Sequence, residues 1–289
     1  MSIKSKTHNH PMITLKLTLI CLFFLFLIFL LLRSNFTTSS FISSSTSRTS
    51  NKDSQSQTND YQTCNKIPPS LSTALLHYAT SKITPQQTYQ EISVTLRILQ
   101  RKSPCNFLIF GLGYDSLMWA SLNHGGRTVF LEEDLSWINQ IQKKFPTLES
   151  KHVKYNTKLT EADRLFEVGS EHELCKVVGD PRTSKCELVM KGMPDEIYDV
   201  EWDLIMVDAP TGWHDATPGR MSAIYTAGLM GRNREEGETD VFVHDVNRPV
   251  EDRFSTGFLC QSYLTEQVGR IRHFTVPSHR VLSKPAFCP

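Results

Sequence analysis

The chain has 289 residues, 39% hydrophobic and 21% charged, with Lys+Arg 31 against Asp+Glu 30 and a formal net charge of +1. That balance excludes a general nucleic-acid binder, which carries a strong basic excess. The composition also excludes a wholly disordered chain, a collagen-like repeat and a multi-span membrane protein; the length allows one or two domains.

Leu17–Leu32 is a sixteen-residue run, apolar except for Thr18. As a helix it spans roughly 24 Å, slightly short of a bilayer core. Met12 to Leu15 extend it and Lys16 can snorkel; a short span suits an early secretory membrane. Lys4, Lys6 and Lys16 precede the run without any acidic residue, so the positive-inside rule predicts a cytosolic tail over 1–11, an anchor over 12–33 and a luminal remainder. The rival, a cleaved signal peptide, is disfavoured by the length of the run and by the lack of an A-x-A-like cleavage site. Residues 34–63 are Ser/Thr-rich, too poor in apolar groups to fold, and read as a flexible stem. The sequon Asn35-Phe36-Thr37 lies beside the membrane exit and is expected to be poorly used.

The domain is expected over 64–289. Beyond Cys21 it and the stem's edge hold Cys64, Cys105, Cys175, Cys186, Cys260 and Cys288. A luminal context permits three disulfides, of which Cys175–Cys186 is the favoured pair. No CxxC spacing suggests zinc. A helix is predicted over Leu71–Thr80. A second is predicted from Thr84-Pro85-Gln86-Gln87, read as N-cap, N1 proline and capping box. Short apolar strands follow at Asn106–Phe110, Thr128–Leu131, His152–Tyr155, Asp203–Val207 and Asp240–Val243. Helices fall between them at Ser116–Leu122, Leu135–Phe145, Ala162–Val168 and Met221–Arg232. Strands without polar alternation, separated by helices, imply a parallel sheet covered on both faces. Ser262–Val268 and Ile271–Val276 read as a closing hairpin. The fold class is therefore α/β: a Rossmann-like S-adenosylmethionine-dependent methyltransferase fold. Its seven-stranded, mostly parallel sheet ends in an antiparallel hairpin and is preceded by helices and an anchor.

Ligands of such sheets bind outside the carboxyl ends of the strands. Gly111 and Gly113 follow the first strand, Asp115 is placed to cap the next helix or meet an ammonium group, and Glu132 stands twenty-one residues after Gly111, near the spacing for a ribose-binding acid. The third glycine of the dinucleotide fingerprint is absent, which favours S-adenosylmethionine over NAD. Asp208 and His214 follow the fourth strand, and His244, Asp245, Asn247 and Arg248 follow the fifth. An Asp after strand four with an Asp and Asn after strand five is similar to the metal-dependent small-molecule O-methyltransferases. There Asp and Asn are adjacent; here Val246 separates them. That resemblance implies Asp208, Asp245 and Asn247 as ligands of a hard divalent ion. Arg220 and Arg248, nearest the strand ends, suit a sugar carboxylate.

Several blocks closely resemble the plant glucuronoxylan 4-O-methyltransferases: Pro104–Phe107 leading into Gly111–Trp119, Ser121–Thr128, Val207–Gly212, Pro218–Ser222 and His244–Asp252. Tyr114 and Trp213 depart from the His and Tyr usual in the xylan branch. The resemblance covers about 64–289 and implies a type II, single-pass Golgi membrane enzyme. Such an enzyme would methylate O4 of glucuronic acid on glucuronoxylan, alongside other xylan-synthesis enzymes. The same family includes arabinogalactan methyltransferases and members without established catalysis. For the displacement, Asp208, His244 or His214 is the expected base, with Asp245 orienting it or holding metal. Arg220 or Arg248 is expected to grip the glucuronate.

Overall fold

The computed structural model describes residues 67–212, 214–281 and 286–289. The tail, anchor, stem, sequon and Cys64 fall outside these residues, as does Trp213. Among the described residues no helix is long and apolar enough to cross a membrane.

Seven strands form one sheet: β1 (Asn106–Phe110), β2 (Arg127–Glu132), β3 (Glu149–His152), β4 (Leu204–Val207), β5 (Glu238–Val243), β6 (Leu264–Val268) and β7 (Ile271–Pro277). Their order is β3-β2-β1-β4-β5-β7-β6. The first five are mutually parallel, and β7 runs antiparallel to β5 and β6. This is the expected architecture, closing hairpin included. The chain reverses direction across the sheet between β1 and β4, which opens a crevice at their carboxyl ends.

Alternate side chains of β1 feed two separate cores. Phe107 and Ile109 pack under α1 (Pro69–Thr80), α2 (Tyr89–Lys102), α3 (Ser116–Leu122) and α4 (Leu135–Lys144). Leu108 and Phe110 face α5 (Ala162–Glu171), α6 (Asp195–Tyr198), α7 (Met221–Asn233) and α8 (Pro249–Phe254). α7 buries eleven of its thirteen residues, so a helix apolar on nearly every side becomes the spine of that layer.

Two expectations shift. α2 begins at Tyr89, not beside Thr84: the N-cap is Thr88, whose hydroxyl accepts from the Glu91 amide while the Glu91 carboxylate accepts from the Thr88 amide. This capping box, in a context worth about 1 kcal/mol, frees 84–87 to run as a loop. The third strand lies at Glu149–His152, not His152–Tyr155. As an edge strand it pairs only with β2 and stays half-buried, so it carries no apolar signature; Val153 and Tyr155 are buried beyond its end. Pro249–Phe254, for which no element was predicted, is helical and continues into a wider turn over Ser255–Cys260, with proline at the first position and Glu251 and Asp252 in the first turn. The Cys175–Cys186 disulfide is present in the segment before β4, and a second joins Cys260 to Cys288.

Candidate active site

A cavity of about 420 Å³ opens at the carboxyl ends of β1, β2, β4 and β5. Gly111 closes β1 at φ 121°, and a Cβ there would sit 3.1 Å from that of Ala209. Only glycine combines this backbone with the close approach of the two strand-end loops. Gly113 follows; a Cβ on it would lie 2.8 Å from an Asp115 carboxylate oxygen, so this glycine leaves room for that side chain. Asp115 does not cap α3. It turns instead to accept from the Trp119 indole at 2.8 Å, and burial with the nearby Asp208 charge raises its pKa to about 6. Glu132 ends β2. Its Oε1 accepts from the Glu133 and Asp134 amides and its Oε2 from the Leu112 amide. These bonds fix a carboxylate at the cavity wall with lone pairs still available for hydroxyl groups.

The other wall is built from β4 and β5. Asp208 receives the His244 Nδ1–H on Oδ1 at 2.9 Å and the Gln87 amide on Oδ2 at 3.2 Å. Burial opposes its ionisation, but the His244 hydrogen bond and the Arg220 guanidinium outweigh it and hold the carboxyl below its usual range. His244 is fully buried and does not line the cavity. Its Nε2 points instead toward Glu91, 3.8 Å from Oε2. It therefore orients Asp208 and is not positioned to take a proton from a ligand. His214 is exposed on the following loop and is not among the cavity's residues.

Asp245 occupies the left-handed region, φ 61°, tolerated by Asp better than by most residues. Three guanidinium groups converge on it: Arg220 at 3.1 Å and Arg248 at 2.9 Å on Oδ2, Arg270 at 2.8 Å on Oδ1. Arg220, only 3% exposed, also donates to the carbonyls of Pro210, His244 and Asp208. Nearly all its donors are engaged, so it braces the two strand-end loops and is not free to grip a sugar acid. Arg248, 31% exposed, donates to the Thr211 carbonyl and Asp245 yet still faces the cavity.

Asp208, His244 and Asp245 bring ligand-type atoms within 4.8 Å of one another, and Asn247 is exposed outside this group. The donors do not suit a divalent ion. The position such an ion would take against Asp245 is held by three guanidinium cations, and the imidazole donates its Nδ1 proton to Asp208 in place of a lone pair. S-adenosylmethionine fits better. Asp115, Glu132, Glu133 and Asp134 line the opposite wall, none in an ion pair with Lys or Arg among the described residues. Burial and the neighbouring Glu132 and Asp134 push the Glu133 carboxyl up. Such a wall attracts a cationic ligand and repels a pyrophosphate.

Glu91 and Arg270 were not singled out in the sequence, and Gln87 was read there only as part of a capping box. Glu91 binds the Arg270 amide at 2.7 Å, and the Arg270 guanidinium reaches the Gln86 carbonyl at 2.8 Å. The loop before α2 and the β6–β7 turn are thereby tied behind Asp208 and Asp245. The only local signal was the Thr88–Glu91 capping pattern; the remaining contacts of Gln87 and Glu91 join residues more than 100 positions apart.

The family described as IRX15/IRX15L/GXM matches residues 90–274. Glucuronoxylan 4-O-methyltransferase 3 of Arabidopsis thaliana is 65% identical over 228 residues, covering 79% of this chain and 76% of that protein. Arabinogalactan O-methyltransferase 2 from the same plant is 51% identical over 209 residues, covering 71% and 72%. Protein IRX15-LIKE, also from Arabidopsis thaliana, is 38% identical over 217 residues, covering 73% and 68%. With most of its length and every strand end of the site inside these matches, the chain belongs to the IRX15/IRX15L/GXM family.

Proposed function

We propose that the chain transfers a methyl group from S-adenosylmethionine to O4 of glucuronic acid side chains on glucuronoxylan during xylan synthesis. The observation that carries this reading is the 65% identity to a glucuronoxylan 4-O-methyltransferase across a domain whose cavity pairs an unpartnered acidic wall with an ionised Asp208. When bound, S-adenosylmethionine supplies an electrophilic methyl group on a positively charged sulfur. Glu132 accepts hydrogen bonds from ribose hydroxyls, and Asp115 faces the positive charge. Asp208 accepts the proton of the attacking O4 hydroxyl while His244 and Gln87 fix its two oxygens. Arg248 grips the glucuronate carboxylate, setting O4 in line for displacement.

The same reading puts the chain in the Golgi membrane as a type II single-pass protein working beside other xylan-synthesis enzymes. It is supported by the Leu17–Leu32 run with its basic flank and by two disulfides of a kind that persist in oxidising compartments. Arabinogalactan glucuronic acid is the second acceptor to test, since a relative named for it is 51% identical. Incubating the full-length protein with methyl-labelled S-adenosylmethionine and either polysaccharide, then mapping the label after hydrolysis, decides the matter. Label on O4 of xylan glucuronate is expected; label confined to arabinogalactan, or none on either, overturns the reading.

A further inference from the structure

A second cavity, of about 340 Å³, lies beside the first along the carboxyl edge of the sheet. Lys154, Lys185 and Lys191 line it, all exposed, and none forms an ion pair among the described residues. Lys191 donates only to the Ser184 carbonyl. The acid on the wall, Glu187, is already matched by both terminal nitrogens of Arg164, at 2.9 and 2.7 Å. Three uncompensated cations thus share one concavity in a chain whose residues after Arg33 carry a net charge of −3, four basic and no acidic residues of the total lying before Ser34. The floor is mixed: the Thr157 and Ser222 hydroxyls, 3.3 Å apart, lie among the buried side chains of Val189 and Met190.

The two cavities share a backbone strip. The Gly219 amide donates to the Thr157 carbonyl at 2.9 Å; one residue on, Arg220 lines the first cavity, and two further, Ser222 lines the second. The lysines therefore stand beside the first cavity along the same edge of the sheet.

We propose that this lysine-lined cavity is an accessory subsite that holds a second carboxylate of an acidic polysaccharide while another glucuronate is methylated. The proposal rests on the acceptor assignment made above. It assigns the site to chains bearing repeated uronate groups, with hydroxyl and ammonium donors meeting sugar hydroxyls and carboxylate respectively.

The test replaces Lys154, Lys185 and Lys191 together by Ala in the full-length protein. KM for polymeric glucuronoxylan is expected to rise about tenfold. KM for a short xylo-oligosaccharide bearing one glucuronate, and kcat for both acceptors, stay within about twofold of wild type. Added salt raises the wild-type KM for polymer and has little effect on the variant's. The triple Lys→Arg variant retains the wild-type preference. An equal change for long and short acceptors overturns the proposal, as does a KM for polymer that does not move. Binding is read separately by electrophoresis through gels containing glucuronoxylan or the same polymer with its carboxyls reduced. Wild type is retarded by the charged polymer more strongly than the Ala variant is; equal retardation of both overturns the proposal, whereas absence of methylation on either acceptor removes the acceptor assignment instead.

Discussion

The two walls of the principal cavity are both rich in carboxylates but treat them oppositely. On the β4–β5 side, Asp208 and Asp245 are surrounded by Arg220, Arg248, Arg270 and His244. On the β1–β2 side, Asp115 and Glu132 have only an indole and backbone amides. Charge on the first wall is compensated from within the protein, and its removal is felt as lost structure. Charge on the second awaits a cation from outside, and its removal is felt as lost binding. A carboxylate's neighbours, more than its identity, thus tell whether it holds the fold or a ligand.

Asp208 is the exception that belongs to both sides, and its replacement has the largest expected effect. Asp208→Asn should lower the single-turnover methylation rate by about a thousandfold or more, with thermal melting shifted little; a rate near wild type would remove Asp208 from the chemistry. Asp245→Asn sharpens the contrast. It leaves three guanidinium groups short of a counter-ion and is expected to cost about 3–5 kcal/mol in urea unfolding, whereas Glu132→Gln on the other wall should leave unfolding unchanged. A stable Asp245→Asn protein would show that the arginines do not depend on this carboxylate. The pH dependence of S-adenosylmethionine binding probes Asp115. With its pKa raised to about 6, the carboxyl is neutral below that value and ionised above it, so calorimetric affinity for a cationic ligand rises as pH increases through about 6. Asp115→Asn should flatten that rise. The smallest effect is expected from chelation: with Asp245 held by three arginines, exhaustive treatment with EDTA should leave the rate unchanged, and a rate restored only by added divalent ion would reverse the assignment of this wall.

Much of the fold was legible because buried parallel strands announce themselves. Phe107–Phe110 and Leu204–Val207 are almost continuously apolar, and both proved fully interior; the helix at Ser116–Leu122 has the predicted bounds. The edge strand Glu149–His152 lacks that signal because one side of it meets solvent. The cavity's lining was legible where residues close a strand or follow it directly, as Glu132 and Asp208 do. It was not legible where function depends on what a side chain meets. Nothing in the spacing around Arg220 distinguishes a carboxylate clamp from an internal brace; the difference lies in carbonyls of Pro210 and His244 brought to it by folding. Gln87 was obscured by a helix start assigned four residues too early.

The loop over Pro85–Gln87 has a practical consequence for shortening the chain. The family match begins at residue 90, after the two residues that line the cavity, Pro85 and Gln86, and after the glutamine bonded to Asp208. A recombinant fragment cut to the matched span would keep β1 to β6 whole and truncate β7 after Phe274, and it would lose the Thr88 cap of α2, one anchor of Arg270 and part of the cavity wall. Fragment boundaries for crystallisation or activity work belong upstream of α1, whose Tyr78 hydroxyl donates to the Tyr114 carbonyl at the cavity mouth.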